Sequence, residues 1–266
     1  MRRILLALMV WAAASACAAA EEVVTVQTRT GVTLAYLLVH DPSASPRVVV
    51  ISFVGGEGAV NLVKRSADHP PSFGPAANFL VRIRNQMTDA DTADAIVDSP
   101  SDKLPQGMTD DFRLGADHLA DIRALLADLG RRFPNTKIYL MGHSRGTVSA
   151  AALAAKLGPE VQGVILASTI TKQDKQGRAL STFDFKTIKI PVLLVHHRED
   201  GCTPNPYYNV ERLSKSFALI SVRGGDPPQS GPCDSQSPHG YFGRDAAVVQ
   251  AIKNWMLGRD FAREIG

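Results

Sequence analysis

The stretch Tyr139–Leu153, YLMGHSRGTVSAAAL, runs from a short apolar segment through Gly142-His143-Ser144-Arg145-Gly146 into an alanine-rich one. An apolar run of strand length followed directly by helix-forming residues reads as strand, sharp turn and helix. Glycines lie two residues to either side of Ser144. With no side chains at those places, strand and helix can pack closely around the bend, and the serine hydroxyl stands out above the carboxyl end of the strand. The first helical amides have no intrahelical acceptor and attract negative charge developing beside that hydroxyl. A serine at a helix start is also a common N-cap, so the five-residue pattern alone leaves two roles open; its place between strand and helix favours the nucleophile.

The same alternation continues outward. Val48–Val54, Ala93–Val97, Lys137–Met141, Val161–Ala167, Pro191–His196 and Phe217–Val222 read as strands apolar on both faces, the pattern of a sheet covered by helices on both sides. Between them, Ala76–Gln86, Asp110–Phe133, Ser144–Leu157, Asn205–Ser216 and Gly240–Leu257 carry helical spacing. In the second of these, Phe112, Leu119, Ile122, Leu125, Leu126 and Leu129 form an apolar stripe. Strand and helix in turn predict an α/β fold with a doubly wound, mostly parallel sheet. Val23–Arg29 and Thr33–His40, around Gly31, predict an antiparallel hairpin on its N-terminal edge. No repeat or linker interrupts the pattern, so residues 21–266 read as one domain. Thr171–Lys189, the segment before the strand at Pro191, is too short for a large lid domain.

Residues 1–20 are set apart as a secretory signal: Arg2 and Arg3, the apolar run Ile4–Ala14, then small residues to Ala20. The run is shorter than the ~20 residues a membrane span needs. A periplasmic or secreted location follows, and a loosely lipoprotein-like site at Cys17 leaves a lipid anchor as the minor alternative. Loss of Arg2 and Arg3 lowers the formal net charge from +3 by two, to +1, and no basic run with interleaved aromatics points to nucleic acid. Outside the leader stand two cysteines, Cys202 and Cys233. An even number in an oxidising compartment predicts a disulfide, worth about 3 to 4 kcal/mol in the chain-entropy account.

A serine hydroxyl needs an adjacent base. Of the seven histidines, His40, His69 and His118 precede the turn in edge, loop or helix contexts, His143 points away within it, and His196 and His197 end a strand. His239, in SQSPHGYFG after the last apolar run, lies on a loop able to lean over the sheet. The orienting acid belongs at a strand end between the two, where VLLVHHREDGC offers Glu199 and Asp200; Asp200, followed by Gly201, is the choice, with Asp226 a weaker rival. The predicted disulfide then joins the acid loop to the base loop. Oxyanion donors are the amide of Arg145 and, from the VGGEG loop after the first parallel strand, that of Gly56 or Gly55. This loop lacks Gly-Lys-Ser/Thr and full dinucleotide spacing, so a nucleotide site is not expected. The Arg145 side chain is placed to hold a substrate carboxylate, and Asp98 and Asp102 in VDSPSD to line the pocket.

The order Ser144, Asp200, His239 on alternating strands, with GHSRGT, HHREDGC and SPHGYFG, resembles the α/β-hydrolase superfamily over about Val48–Leu257. The nearest likeness is to the compact dienelactone-hydrolase-like and small serine-esterase branches. The resemblance implies nucleophile, acid and base at those three positions, above the carboxyl ends of the strands. Two features depart from it: Val54-Gly55 replaces a frequent His-Gly, and serine stands where dienelactone hydrolases often use cysteine. The expected activity is hydrolysis of a small-molecule carboxylic ester without metal or organic cofactor. Peptidase or acyltransferase chemistry with the same residues, or a non-catalytic periplasmic binding protein on this fold, are the alternatives.

Overall fold

A computed structural model of the protein describes residues 19–65, 70–74 and 76–266. Most of the predicted leader, Cys17 included, and His69 lie outside them.

Residues of the central strands alternate between two cores. Val49, Ile51 and Phe53 enter one, Val48, Val50 and Val54 the other, as a strand buried on both faces requires. The strands are β1 (Ala20–Arg29), β2 (Val32–His40), β3 (Val48–Phe53), β4 (Thr92–Val97), β5 (Lys137–His143), β6 (Gly163–Ala167), β7 (Val192–His197), β8 (Ala218–Val222) and β9 (Glu264–Ile265). They form one sheet in the order β1-β2-β4-β3-β5-β6-β7-β8-β9. From β4 to β9 neighbours run parallel, while β1–β2 and β2–β4 are antiparallel. The expected edge hairpin is present, turning at Gly31 with φ 72°. The two-residue β9, which closes the opposite edge, is too short to leave a pattern in the sequence.

The helices are α1 (Phe79–Met87), α2 (Asp110–Leu114), α3 (Ala116–Arg132), α4 (Gly146–Leu157), α5 (Tyr207–Leu213) and α6 (Asp245–Met256). Residues of α3, α4 and α5 pack into the core with Val49 and Ile51, and those of α1 and α6 into the core with Val48 and Val50. The single helix expected over Asp110–Phe133 is broken in two. Gly115 is extended, and a Cβ there would lie 3.1 Å from the carbonyl oxygens of Asp111 and Phe112. The helix expected from Ser144 starts instead at Gly146, and Ser144 is not its cap. Between β6 and β7, Ser168–Pro191 carries one 3-10 turn, Phe185–Thr187.

Parallel β3 to β8 place their carboxyl ends along one edge. The glycine loop, Ser144, Asp200 and, further on, the loop of His239 all leave from there.

Candidate active site

Ser144 is held at φ 56°, in the left-handed region that residues with a Cβ rarely adopt. The turn depends on its two glycines. A Cβ on Gly142 would lie 2.4 Å from the Gly146 carbonyl oxygen, and one on Gly146 would lie 1.9 Å from that of Phe53. The Ser144 amide donates to the Ala167 carbonyl at 2.9 Å, and its own carbonyl accepts from the Thr147 amide and from Thr147 Oγ1 at 2.6 Å. Among the described residues no protein group hydrogen-bonds the Ser144 hydroxyl, which lines the cleft.

His239 lies in a 3-10 turn, Pro238–Gly240, capped by Ser237. Its backbone carbonyl accepts from His143 Nε2 at 2.9 Å and from Ser168 Oγ at 2.8 Å, which fixes the turn against the ends of β5 and β6. Its ring is buried, with Nδ1 2.9 Å from Asp200 Oδ2. A carboxylate only accepts, so Nδ1 carries the hydrogen and Nε2 keeps its lone pair. Nε2 is buried and has no hydrogen-bond partner, and His239 and Ser144 line one cleft. Nε2 and the Ser144 hydroxyl are not bonded to each other; such bonds commonly tighten only with substrate in place.

Asp200 follows β7. Its Oδ1 accepts from the Cys202 amide at 2.9 Å, and its Oδ2 from His239 and, at 2.7 Å, from Asn205 Nδ2. Burial pushes this carboxyl up, but the hydrogen bond and charge of His239, with the neighbouring donors, outweigh it and hold it below the ordinary carboxylate range. Glu199 turns its carboxylate to the Gly224 amide, and Asp226 makes no bond to His239 among the described residues. Cys202 and Cys233 are disulfide-bonded, with Cα atoms 4.6 Å apart, and tie the two loops together.

The glycine loop lies against the serine: a Cβ on Gly55 would stand 2.9 Å from Ser144 Cβ. Gly56 has φ 57°, and among the described residues neither its amide nor that of Arg145 donates to a protein acceptor. Arg113 in α2 is fully buried and anchors this loop, its Nη2 donating to the Gly56 carbonyl at 3.0 Å and its Nη1 to Ser149 Oγ at 2.8 Å. Burial pushes the Arg113 guanidinium down to about 10, with Asp110 opposing and Arg145 adding to the shift.

Two predicted pocket residues face elsewhere. The Asp98 carboxylate is buried and accepts the backbone amides of Val60, Asn61, Leu62 and Ser99, at 2.7 to 3.2 Å, so it shapes the segment after the glycine loop. Asp102 is ion-paired with Arg29 at 2.9 Å. The Arg145 side chain is also consumed internally. Nη1 reaches both Asp110 oxygens at 2.8 and 2.6 Å, Nη2 pairs with Asp174, and Nε donates to Gln176 Oε1 at 3.0 Å. It therefore clamps the 174–177 turn over the site, and a substrate carboxylate finds no open guanidinium edge. The sequence offered no sign of this, because the two acids that neutralise Arg145 are about thirty residues away on either side.

The serine stands where two clefts meet. One, of about 580 Å³, is walled by Glu57, Asn61, Asn78, Gln236 and His239. The other, of about 670 Å³, is walled by Ile170, Lys175, Pro204 and both cysteines. Gly56, Ser144 and Gln176 belong to both. His196 donates from Nε2 to the Asn205 carbonyl at 2.8 Å, His197 bonds the Gly224 carbonyl, and burial pushes His143 and His118 down to about 3 and His196 to about 4.

A family model described as serine aminopeptidase, S33, matches residues 106–198, which include the strand, turn and helix around Ser144. Among curated proteins none matches the chain. Several solved structures share its fold. Est1E from Butyrivibrio proteoclasticus superposes with a TM-score of 0.60 at 18% identity, covering 89% of this chain and 98% of that one. A dienelactone hydrolase from Anabaena variabilis gives 0.61 at 18%, covering 91% and 99%. An α/β serine hydrolase without lid from Xanthomonas campestris gives 0.57 at 15%, covering 88% and 94%. At these identities the likeness is one of fold, and the fold the chain shares with them is that of the α/β hydrolases.

Proposed function

We propose that this protein is a serine hydrolase that cleaves a carboxylic ester through an acyl-enzyme intermediate. The observation that carries the reading is the imidazole of His239: Nδ1 is committed to Asp200, which leaves Nε2 as an unpartnered base in the cleft that Ser144 lines. Ser144 Oγ attacks the ester carbonyl carbon while its proton passes to Nε2, and the ionised Asp200 stabilises the imidazolium. The amides of Gly56 and Arg145 receive the oxyanion. Nε2 then protonates the leaving alkoxide, and a water molecule, deprotonated by the same nitrogen, releases the acid. Naming of structural neighbours as an esterase domain, from a Rhodothermus marinus protein, and a dienelactone hydrolase supports an ester as substrate.

Turnover of p-nitrophenyl acetate by Ser144→Ala tests this. A loss of about a thousandfold or more is expected. Full turnover in the variant removes Ser144 from the role. A fluorophosphonate should add once to the wild-type chain and not to the variant, an outcome that also separates an enzyme from a binding protein on this fold.

Aminopeptidase activity is the second reading, favoured by the matched family model and by two carboxylates in the cleft wall, Glu57 and Asp234, suited to a free α-ammonium. Faster release from aminoacyl p-nitroanilides than from p-nitrophenyl acetate would select it. We further infer that residues 1–20 direct export of one domain, 21–266, into an oxidising compartment, a reading the Cys202–Cys233 bridge supports.

A further inference from the structure

Asn205 lies between β7 and α5 and is wholly buried beside the acid and the base. Its Nδ2 is 2.7 Å from Asp200 Oδ2 and 3.1 Å from His239 Nδ1. The amide can face only one way, since its oxygen in that place would meet a carboxylate oxygen at the same short distance. In the observed orientation Oδ1 is buried without a partner. A side chain kept only for packing would not carry that penalty, because leucine fills a similar volume without it. The backbone is tied on both sides, the Asn205 amide donating to the Cys202 carbonyl at 3.1 Å and its carbonyl accepting from His196 Nε2 at 2.8 Å.

We propose that Asn205 is a positioning residue of the site, holding the Asp200 carboxylate and setting how strongly it stabilises an imidazolium at His239. The inference rests on the reading of Ser144, His239 and Asp200 given above. Two donors, His239 Nδ1 and Asn205 Nδ2, share one carboxylate oxygen. The asparagine donor disperses that oxygen's charge, so Asp200 stabilises the imidazolium less. The positive end of the amide dipole, 3.1 Å from the ring, opposes the cation as well. Both effects act in one direction, against the imidazolium.

The other charged and titratable groups around the pair leave this assignment to Asn205. His196, with Nε2 3.8 Å from Asp200 Oδ2, and His143, in ring contact with His239, are kept neutral by burial. The Tyr241 hydroxyl, bonded to Ser168 and the Val195 carbonyl, is pushed up by burial. Arg82 is paired with Asp245 and donates to the Gly240 carbonyl, and Asp234 lies in the cleft wall.

The test is the pH profile of kcat/KM on p-nitrophenyl acetate for wild type and Asn205→Leu. The acid limb should move up by about one pH unit, with kcat down about tenfold and KM little changed. A limb that stays in place overturns the proposal even where kcat falls, since a merely structural role would lower activity without moving it. A second measurement needs no variant: in wild-type protein labelled with ¹⁵N-histidine, His239 should show a protonated Nδ1 and a bare Nε2 above the limb. The opposite tautomer would mean that Asn205 donates to the ring, and the proposal falls. Failure of the serine-hydrolase reading looks different, since it appears as activity retained by Ser144→Ala.

Discussion

Asp94 is an ionisable group set in the middle of β4, where Val50 on one side and Val39 on the other are its register partners. Its Oδ1 accepts from Ser52 Oγ at 2.7 Å, while Oδ2 is buried with no partner. No cation bonds it among the described residues, and burial pushes its carboxyl from 3.8 up to about 7, against the weaker pull of the Ser52 and Ala95 bonds. Between these two values the folded chain keeps a proton that the unfolded chain releases, so rising pH favours unfolding. The stability is therefore fully present below about pH 4 and is lost progressively up to about pH 7. A difference of about three pH units at 1.36 kcal/mol each makes the loss about 4 kcal/mol. Asp94→Asn keeps the shape and removes the titration. Relative to wild type it should be near neutral at pH 4 and more stable by about 2 to 4 kcal/mol at pH 8, a rise in Tm of about 5 to 15 °C for a chain of this size. Urea unfolding followed by circular dichroism at pH 4, 6 and 8, with the disulfide intact, measures the difference. Comparing the two proteins at each pH cancels every other titrating group, Asp200 included. Parallel curves at all three pH values would refute the reasoning, since they would mean that the folded chain accommodates the charge as well as water does.

The glycines of the serine turn supply a steric prediction. Gly146→Ala should cost about 3 kcal/mol or more and reduce soluble yield, because its Cβ would sit 1.9 Å from a β3 backbone oxygen that cannot move without the sheet. Gly130→Ala, within α3 and with nothing inside 4 Å of the new Cβ, should instead stabilise by about 0.5 to 1 kcal/mol, so equal effects in thermal unfolding would sink the argument from close approach. Replacing both Cys202 and Cys233 by serine opens a loop with a sequence separation of 31 and should cost about 3.7 kcal/mol. Esterase activity should then be lost on warming at a lower temperature than in wild type, and thiol reductant should reproduce the change; an unaltered inactivation temperature would show that the bridge bears no load.

The strands of the sheet and the position of Ser144 were readable because they rest on local pattern: apolar runs of strand length, and glycines two residues either side of a serine. Pairing of Cys202 with Cys233 was readable from number and compartment alone. The roles of Asp98 and Arg145 were not. Asp98 binds four amides of which three lie more than thirty residues upstream, and Arg145 is neutralised by Asp110 and Asp174, contacts that no local pattern encodes. The same reason hid Arg113 and His143, whose partners at Gly56 and His239 lie far along the chain, and Asn205, which meets Asp200 nearby but His239 only 34 residues on. Gly115 could have signalled the break between α2 and α3, but a glycine inside a strong apolar stripe is also tolerated in a continuous helix.

Buried polar side chains, more than any cover, hold the geometry of this site. The glycine loop is held from below by the Arg113 bond to the Gly56 carbonyl and continued by a segment wrapped on Asp98. The 174–177 turn is held by the guanidinium of Arg145, next to Ser144, so the residue whose amide we propose as an oxyanion donor also anchors a wall of both clefts. The loops of Asp200 and His239 are joined by a covalent bridge, and the His239 carbonyl is fixed by His143 and Ser168. A buried polar contact is costly to break, because its partner is left desolvated and unpaired. Every loop that meets Ser144 is therefore set before substrate arrives, as a transition state that tolerates little misplacement requires, and the cleft has no need of a lid to assemble it.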